Sequence, residues 1–236
     1  MRLKGRVAVV TGGGRGIGRA TAVALAKEGA GIVIVSRTRD ELAATAALVK
    51  RQGAKCIGVV ADVSKPVSVK KLFDRVIADF GRVDILVNNA GVAYYKPMVN
   101  TSEKEWDETV NTNLKGVFLC SKEALPYLVK NRGGVIVNIS SWAGKHGMEN
   151  FAAYSASKFG VVGLTASLAE EMQRKNVRVY AVCPGGVNTK MFNDLFPEVD
   201  ASKLLEPGDV ARKIIQLCLP ECKVNTGTAV DIHSLY

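Results

Sequence analysis

Short runs of β-branched and apolar residues recur along this chain, and stretches with helical spacing separate them. Arg6–Val10 leads into a glycine cluster, and residues 16–28 then carry Ile17, Ala20, Ala24 and Leu25 at helical intervals. Ile32–Val35 predicts a second strand, and 40–52 a helix closed by Gly53. Cys56–Val60 predicts a third strand, followed by a helix over 67–80 that Gly81 ends. Ile85–Val87 is a fourth strand, 102–129 mostly helix, Gly134–Ile139 a fifth strand and 152–173 a helix. Val177–Cys183 is a sixth strand, 207–217 a last helix, and 228–232 a terminal strand. The strand runs are almost continuously apolar, which belongs to strands covered on both faces by helices. Regular alternation with right-handed crossovers predicts an α/β chain with a doubly wound, mostly parallel, seven-stranded sheet. No Pro/Gly/Ser-rich linker or internal repeat interrupts residues 1–236, so one domain is expected, with a capping segment near 189–206.

Composition removes several classes. At 236 residues, 47% apolar and 23% charged, the chain is neither disordered nor fibrous and can bury a core without staples. No apolar run nears the roughly 18–20 residues of a membrane helix. Only four apolar residues, Val7–Val10, follow the basic N-terminus, too few for a signal peptide. Five scattered cysteines (56, 120, 183, 218 and 222) suit the reducing cytoplasm. Cys218 and Cys222 have no neighbouring histidine, so no metal is expected. The net charge is +10, of which +8 lies in the first 60 residues (11 basic, three acidic). No block of five or six like charges occurs, which disfavours a nucleic-acid partner and leaves solvated surface charge, an acidic protein or a multiply charged small ligand.

The loop Thr11-Gly12-Gly13-Gly14-Arg15-Gly16-Ile17-Gly18 joins the first strand to the first helix. There, side-chain-free residues admit a pyrophosphate to the backbone, and the helix N-terminus supplies free N–H groups and partial positive charge. The spacing is G-x-x-x-G-x-G through Gly12, Gly16 and Gly18. An acid at the end of the second strand would bind the 2′-hydroxyl of NAD. Here the chain reads Val35-Ser36-Arg37-Thr38-Arg39, and Asp40 already enters the next helix. Ser36 and Arg37 can donate to a 2′-phosphate, and Arg15 can reach the same group, so the expected cofactor is NADP(H).

Three further segments carry a resemblance. Asn88-Asn89-Ala90-Gly91 follows the fourth strand, Pro184-Gly185-Gly186-Val187-Asn188-Thr189 follows the sixth, and Ser141 precedes Tyr154-Ser155-Ala156-Ser157-Lys158 by thirteen residues. Of six tyrosines, only Tyr154 heads a Y-x-x-x-K, and that spacing puts both side chains on one helix face. With the glycine loop, residues from about 5 to 190 resemble the short-chain dehydrogenase/reductase family, most of all its 3-oxoacyl-[acyl-carrier-protein] reductases. The resemblance implies a Rossmann fold, a homodimer or homotetramer, and four catalytic positions: Asn113, Ser141, Tyr154 and Lys158. Tyr154 would be the acid/base, and Ser141 would hydrogen-bond the substrate oxygen. Lys158 would hold the nicotinamide ribose and, with the oxidised nicotinamide, lower the tyrosine pKa. Asn113 would anchor a water between Lys158 and solvent, although Asn111 is two residues away. Asp62 and Val63 match the adenine contact, with Asp62 as a turn or cap residue the alternative. Asn89, Ala90 and Gly91 would pass the adenosine ribose. Pro184, Gly185, Val187 and Thr189 would line the nicotinamide.

For substrate, Met191, Phe192, Leu195 and Phe196 either close over an acyl chain or ring or pack onto the body. Trp142, Met148, Phe151, Tyr94 and Tyr95 are candidate pocket walls, and His146 either faces the substrate or sits on a surface loop. Two departures weaken an acyl-carrier substrate: a short capping segment, and Val230-Asp231-Ile232-His233-Ser234-Leu235-Tyr236 where those reductases usually place a glycine pair. The expected activity is NADPH-dependent reduction of a 3-oxoacyl thioester or another apolar ketone, with acyl carrier protein a partner in the first case. The alternatives are an alcohol dehydrogenase working oxidatively and a non-catalytic NADPH-binding regulator.

Overall fold

A computed structural model describes residues 1–233. Its strands are β1 (Val7–Thr11), β2 (Gly31–Ser36), β3 (Cys56–Val60), β4 (Ile85–Asn88), β5 (Gly134–Ile139), β6 (Val177–Pro184) and β7 (Ala229–Ile232). They form one sheet in the order β3-β2-β1-β4-β5-β6-β7. Every neighbouring pair is parallel, so among the described residues the expected doubly wound sheet contains no antiparallel strand. The chain builds outward from β1 to β3, returns to β4 beside β1, and then builds the other way. At that switch point the loops leaving β1 and β4 diverge, opening a crevice at the carboxyl ends of the strands.

Helices α1 (Gly16–Lys27), α2 (Arg39–Lys50) and α8 (Pro207–Cys218) cover one face of the sheet. Helices α3 (Pro66–Phe80), α5 (Gly116–Lys130) and α6 (Ala152–Met172) cover the other. Successive strand side chains feed the two layers alternately. Ala8, Val10, Ile32 and Ile34 meet Ala22, Leu25 and Ile214, while Val7, Val9, Val33 and Leu86 meet Leu72, Phe73 and Leu128. Burial on both faces therefore holds for β1, β4 and most of β5 and β6, which explains their lack of alternation. The edge strands differ: residues 57–60 of β3 and all of β7 are only partly covered, because each edge has a neighbour on one side alone.

Local chemistry sets the helix ends. Pro66 opens α3, and Gly81, at φ +71°, closes it in the left-handed region. Helix α4 (Glu103–Val110) starts on a capping box between Ser102 and Glu105. The single helix expected over 102–129 is instead broken by a π-turn at Asn111–Lys115 before α5 begins. A short helix, α7 (Lys190–Leu195), lies in the capping segment, where the sequence pattern showed no helical period.

A buried polar chain crosses the core just below the crevice. Asn88 Nδ2 donates to Asn138 Oδ1 (2.9 Å) and Ser121 Oγ (3.1 Å), and Asn138 Nδ2 donates to Thr165 Oγ1 (2.9 Å). It ties the ends of β4 and β5 to α5 and α6 in a medium where leaving such groups unpaired is costly. Among the described residues, no helix is long and apolar enough to cross a membrane, and no group of His, Cys, Asp and Glu could hold a metal. Ser234, Leu235 and Tyr236, part of the C-terminal departure noted above, lie outside the described residues.

Candidate active site

The crevice at the switch point is a cavity of about 530 Å³. One end is built by the glycine loop. Helix α1 starts there with Arg15 as its N-cap, no side-chain oxygen on its first-turn N–H groups, and no acid in its first turn. An uncapped N-terminus facing a cavity wall made by Gly12, Arg15, Gly16 and Ile17 suits a phosphate. Gly12 sits at φ +63°, and a Cβ there would lie 2.7 Å from Asn89 Nδ2 and 2.9 Å from Ala90 Cα. Gly18 lies beneath the loop and off the cavity wall: a Cβ on it would collide with the Gly12 carbonyl and the Asn89 amide. The loop is braced by Arg19, which sequence reasoning did not single out, and by Thr11 at its start. Arg19 donates to the Gly14 carbonyl (2.6 and 3.0 Å), and Thr11 Oγ1 accepts from the backbone of Asn89 and Ala90 (2.9 and 3.1 Å).

Next to the loop, at the end of β2, lie Ser36 and Arg37. Both cavity-lining arginines have carboxylate counterparts from elsewhere in the chain. Arg15 is 3.8 Å from Glu41, and Arg37 is 3.6 Å from Glu108 of α4. Glu108 also accepts from the Tyr94 hydroxyl (2.6 Å), and that bond to a carboxylate pushes the Tyr94 pKa up to about 12. Both Glu41 and Glu108 were missed because each lies on a helix whose face toward the loop no local pattern reveals. Asp62 and Val63 line the cavity beyond them. Asp62 Oδ1 accepts from the Ser64 amide (2.9 Å) and hydroxyl (2.8 Å), so the carboxylate holds its own turn while facing the cavity. Burial works to raise the pKa of Asp62, but the Ser64 hydrogen bonds and the Arg37 charge hold it below the usual range. Asn89, Ala90 and Gly91 pass along the middle of the cavity, and Pro184, Gly185, Val187 and Thr189 line its far wall. A run of uncapped helix N–H groups, two arginines and an unobstructed glycine cradle fits a phosphate-bearing dinucleotide.

The inner end brings Ser141, Tyr154 and Lys158 together. Ser141 follows β5 and accepts from the Ala143 amide (3.2 Å), which starts a 3₁₀ turn at Trp142–Gly144. Tyr154 and Lys158 share a face in the first turns of α6, with Lys158 Nζ 5.5 Å from the Tyr154 ring centroid. Lys158 is 4% exposed, and its Nζ donates to the Ile139 carbonyl (2.8 Å). Desolvation lowers its pKa to about 8. Burial pushes Tyr154 the other way, above the usual phenol value, and a hydrogen bond with Ser141 opposes that shift.

Asn113 sits in the π-turn, fully buried, and does not line the cavity. Its Oδ1 accepts from the Val92 amide (2.8 Å), and its Nδ2 donates to the Val92 carbonyl (2.9 Å) and Ser157 Oγ (3.0 Å). It thus pins the loop after β4 to α6. Inserting one residue into the helical ladder aims it there, a device common at functional sites.

Over the inner end, the capping segment is tied at both ends. Asn188 N donates to Leu205 O (2.8 Å), and Leu205 N donates to Gly186 O (3.0 Å). Thr189 Oγ1 caps α7 by accepting from the Phe192 amide (3.3 Å). Met191, Phe192, Leu195 and Phe196 all face the cavity, as do Trp142, Met148 and Phe151. Tyr94 and Tyr95 do not line it: Tyr94 turns to Glu108, and Tyr95 packs against Phe151 and Phe196 from outside. His146 is exposed on its loop and stacks on Trp142 at 4.3 Å.

The family model described as short chain dehydrogenase matches residues 6–200. A 3-oxoacyl-[acyl-carrier-protein] reductase, FabG, of Thermotoga maritima is 35% identical, covering 98% of each chain. The (2S)-[(R)-hydroxy(phenyl)methyl]succinyl-CoA dehydrogenase subunit BbsD of Thauera aromatica is 38% identical over 98% of this chain and 96% of its own. Among solved structures, levodione reductase superposes with a TM-score of 0.94 at 34% identity, covering 99% of this chain and 98% of its own.

Proposed function

The chain belongs to the short-chain dehydrogenase family, an oxidoreductase family that uses a nicotinamide cofactor, and from that premise we propose that it is an NADPH-dependent carbonyl reductase. The observation that carries this reading is the convergence of Ser141, Tyr154 and Lys158 at one end of a cavity whose other end offers Arg15, Ser36 and Arg37. Ser36 and Arg37 stand where an acid would serve the 2′-hydroxyl of NAD, so the donors suit a 2′-phosphate. When bound, the reduced cofactor supplies hydride to the substrate carbonyl carbon. Tyr154 delivers the proton to the carbonyl oxygen. Burial raises its pKa above the usual phenol value, opposite to the lowering that the resemblance implied, and the Ser141 hydrogen bond works against that rise. Ser141 donates a second hydrogen bond to the same oxygen as negative charge develops on it. Lys158 holds the nicotinamide ribose and sets the field at Tyr154. Asn113 is a positioning residue: it holds the Val92 loop and Ser157 so that Lys158 keeps its place. A complete acid/base set favours turnover over a sensor's role. The apolar wall suits a 3-oxoacyl thioester or another apolar ketone, and the names of the relatives support both. The five free thiols suit a reducing cytoplasm. Phe118 on α5 and Phe159 on α6, each 46% exposed, support a homodimer or homotetramer through these helices.

The direct test is NADPH oxidation by the purified protein with an acetoacetyl thioester, beside NADH and a panel of diketones and aryl ketones. Turnover with at least one ketone, and faster with NADPH than NADH, is the expected result. No turnover with any of them would put the regulator reading first.

The pH profile follows from the two opposed shifts. Below about pH 8, Lys158 is charged and Tyr154 protonated, so reduction at saturating NADPH is level. As pH rises through about 8, Lys158 loses its charge and the rate falls, approaching tenfold per pH unit. A rate that climbs across that interval would contradict the roles given to both residues.

A further inference from the structure

The geometry points to a ketone whose carbonyl is attached to a planar, uncharged ring, selected by an aromatic wall that Phe151, Phe192 and Phe196 build beside Tyr154. This rests on carbonyl reduction being the reaction. Three rings from distant parts of the chain meet here: Tyr95 after β4, Phe151 before α6, and Phe196 after α7. Their centroids are 5.2 Å (Tyr95–Phe151), 5.1 Å (Tyr95–Phe196) and 5.9 Å (Phe151–Phe196) apart. Phe151 continues edge-on to Tyr154 (5.2 Å, 67°), and Phe196 continues to Phe192 (5.0 Å). The ring of the proton donor is therefore one end of an unbroken aromatic series that runs into the capping segment.

The series is held in place, so its faces are set before substrate arrives. Phe151 is 4% exposed, and the capping segment is anchored at Asn188 and Leu205. Gly186 is what lets the Phe192 ring come close to the loop after β6: a Cβ there would lie 3.1 Å from the Phe192 ring and 2.8 Å from Leu204 Cδ2. At the rim, Lys190 is paired with Asp194, so it presents a neutralised charge to an incoming ligand. An aliphatic chain gains burial from any apolar wall and loses rotamer freedom on entering. A planar ring gains edge-to-face and offset contacts as well, and has little torsional freedom to lose. A wall of rings beside the proton donor therefore discriminates by shape and by quadrupole at the carbonyl's nearest substituent.

The test compares acetophenone with 2-octanone, ketones of equal carbon number, as substrates with NADPH. Calorimetry measures their binding in the presence of NADP⁺, which cannot reduce them. The wild type is expected to favour acetophenone by about tenfold or more in both kcat/KM and dissociation constant. Phe196→Leu keeps an apolar, partly buried side chain but removes the ring, and should lower that preference about 5–10-fold. Tyr95→Leu, which changes only the backing ring, should lower it less. Reduction of both ketones with no aryl preference, or a preference untouched in Phe196→Leu, overturns the inference and leaves carbonyl reduction standing. Selective binding of acetophenone without reduction of either ketone supports the aromatic site and overturns the proposed reaction. Neither binding nor reduction overturns the aromatic site, and the acetoacetyl thioester assay then decides whether carbonyl reduction stands.

Discussion

Tyr154→Phe is expected to lower kcat for ketone reduction by roughly 10³–10⁴-fold, the scale of a positioned general acid. The substitution removes a single oxygen. Phe151 would still meet the ring edge-on at 5.2 Å, and Lys158 would still donate to the Ile139 carbonyl, so neither the wall nor the lysine loses its support. Ser141 keeps its acceptor role toward the Ala143 amide. NADPH binding, followed by quenching of protein fluorescence, should therefore change by no more than about twofold, because the dinucleotide end of the cavity is untouched. A variant that retains a tenth of the wild-type rate would remove Tyr154 from the acid role. One that loses NADPH affinity in proportion to kcat would mean that the hydroxyl organises the site instead of supplying a proton.

Arg37→Ala should weaken NADPH by about 10–100-fold and NADH by less than about threefold, the range for losing a charge-assisted hydrogen bond. The discrimination comes from one group alone, since the two cofactors differ only in the 2′-phosphate. Arg37 is well exposed, so the loss should shrink as ionic strength rises and screening grows. Its partner Glu108 does not become an unpaired buried charge in the variant, because the Tyr94 hydroxyl still donates to it at 2.6 Å. The effect can therefore be read as a cofactor contact without a large stability penalty. Equal losses for the two dinucleotides would overturn the 2′-phosphate assignment and leave Arg37 as a partner of Glu108 only.

Much of the site was legible because its parts are local. The glycine loop needs only a strand before it and a helix after it, and both runs are plain in residues 6–28. Tyr154 and Lys158 need only a helical period between them, which the chain supplies whatever the rest of the fold does. Where period fails, reading fails. The π-turn at Asn111–Lys115 breaks the helix expected across it, and its extra residue is what directs Asn113 toward Val92 and Ser157. Helix α7 has six residues, too few for an apolar stripe to repeat. Tyr94 and Tyr95, adjacent and chemically alike, turn to different partners, one to Glu108 and the other to Phe151 and Phe196. Nothing in their own surroundings distinguishes them.

The sequence by itself determined the seven-strand alternation, the glycine turn between β1 and α1 and the tyrosine–lysine pair, because each depends on backbone period and on residues a few positions apart. Only the tertiary structure decided which arginine faces which carboxylate, which asparagines join β4 to β5, and which rings surround Tyr154. Phe151 and Tyr154 are only three residues apart, but the pairings between separate elements span from 26 residues (Arg15–Glu41) to 101 (Tyr95–Phe196) along the chain. They form when parallel crossovers bring the carboxyl ends of the strands to one crevice, and no local propensity encodes that meeting.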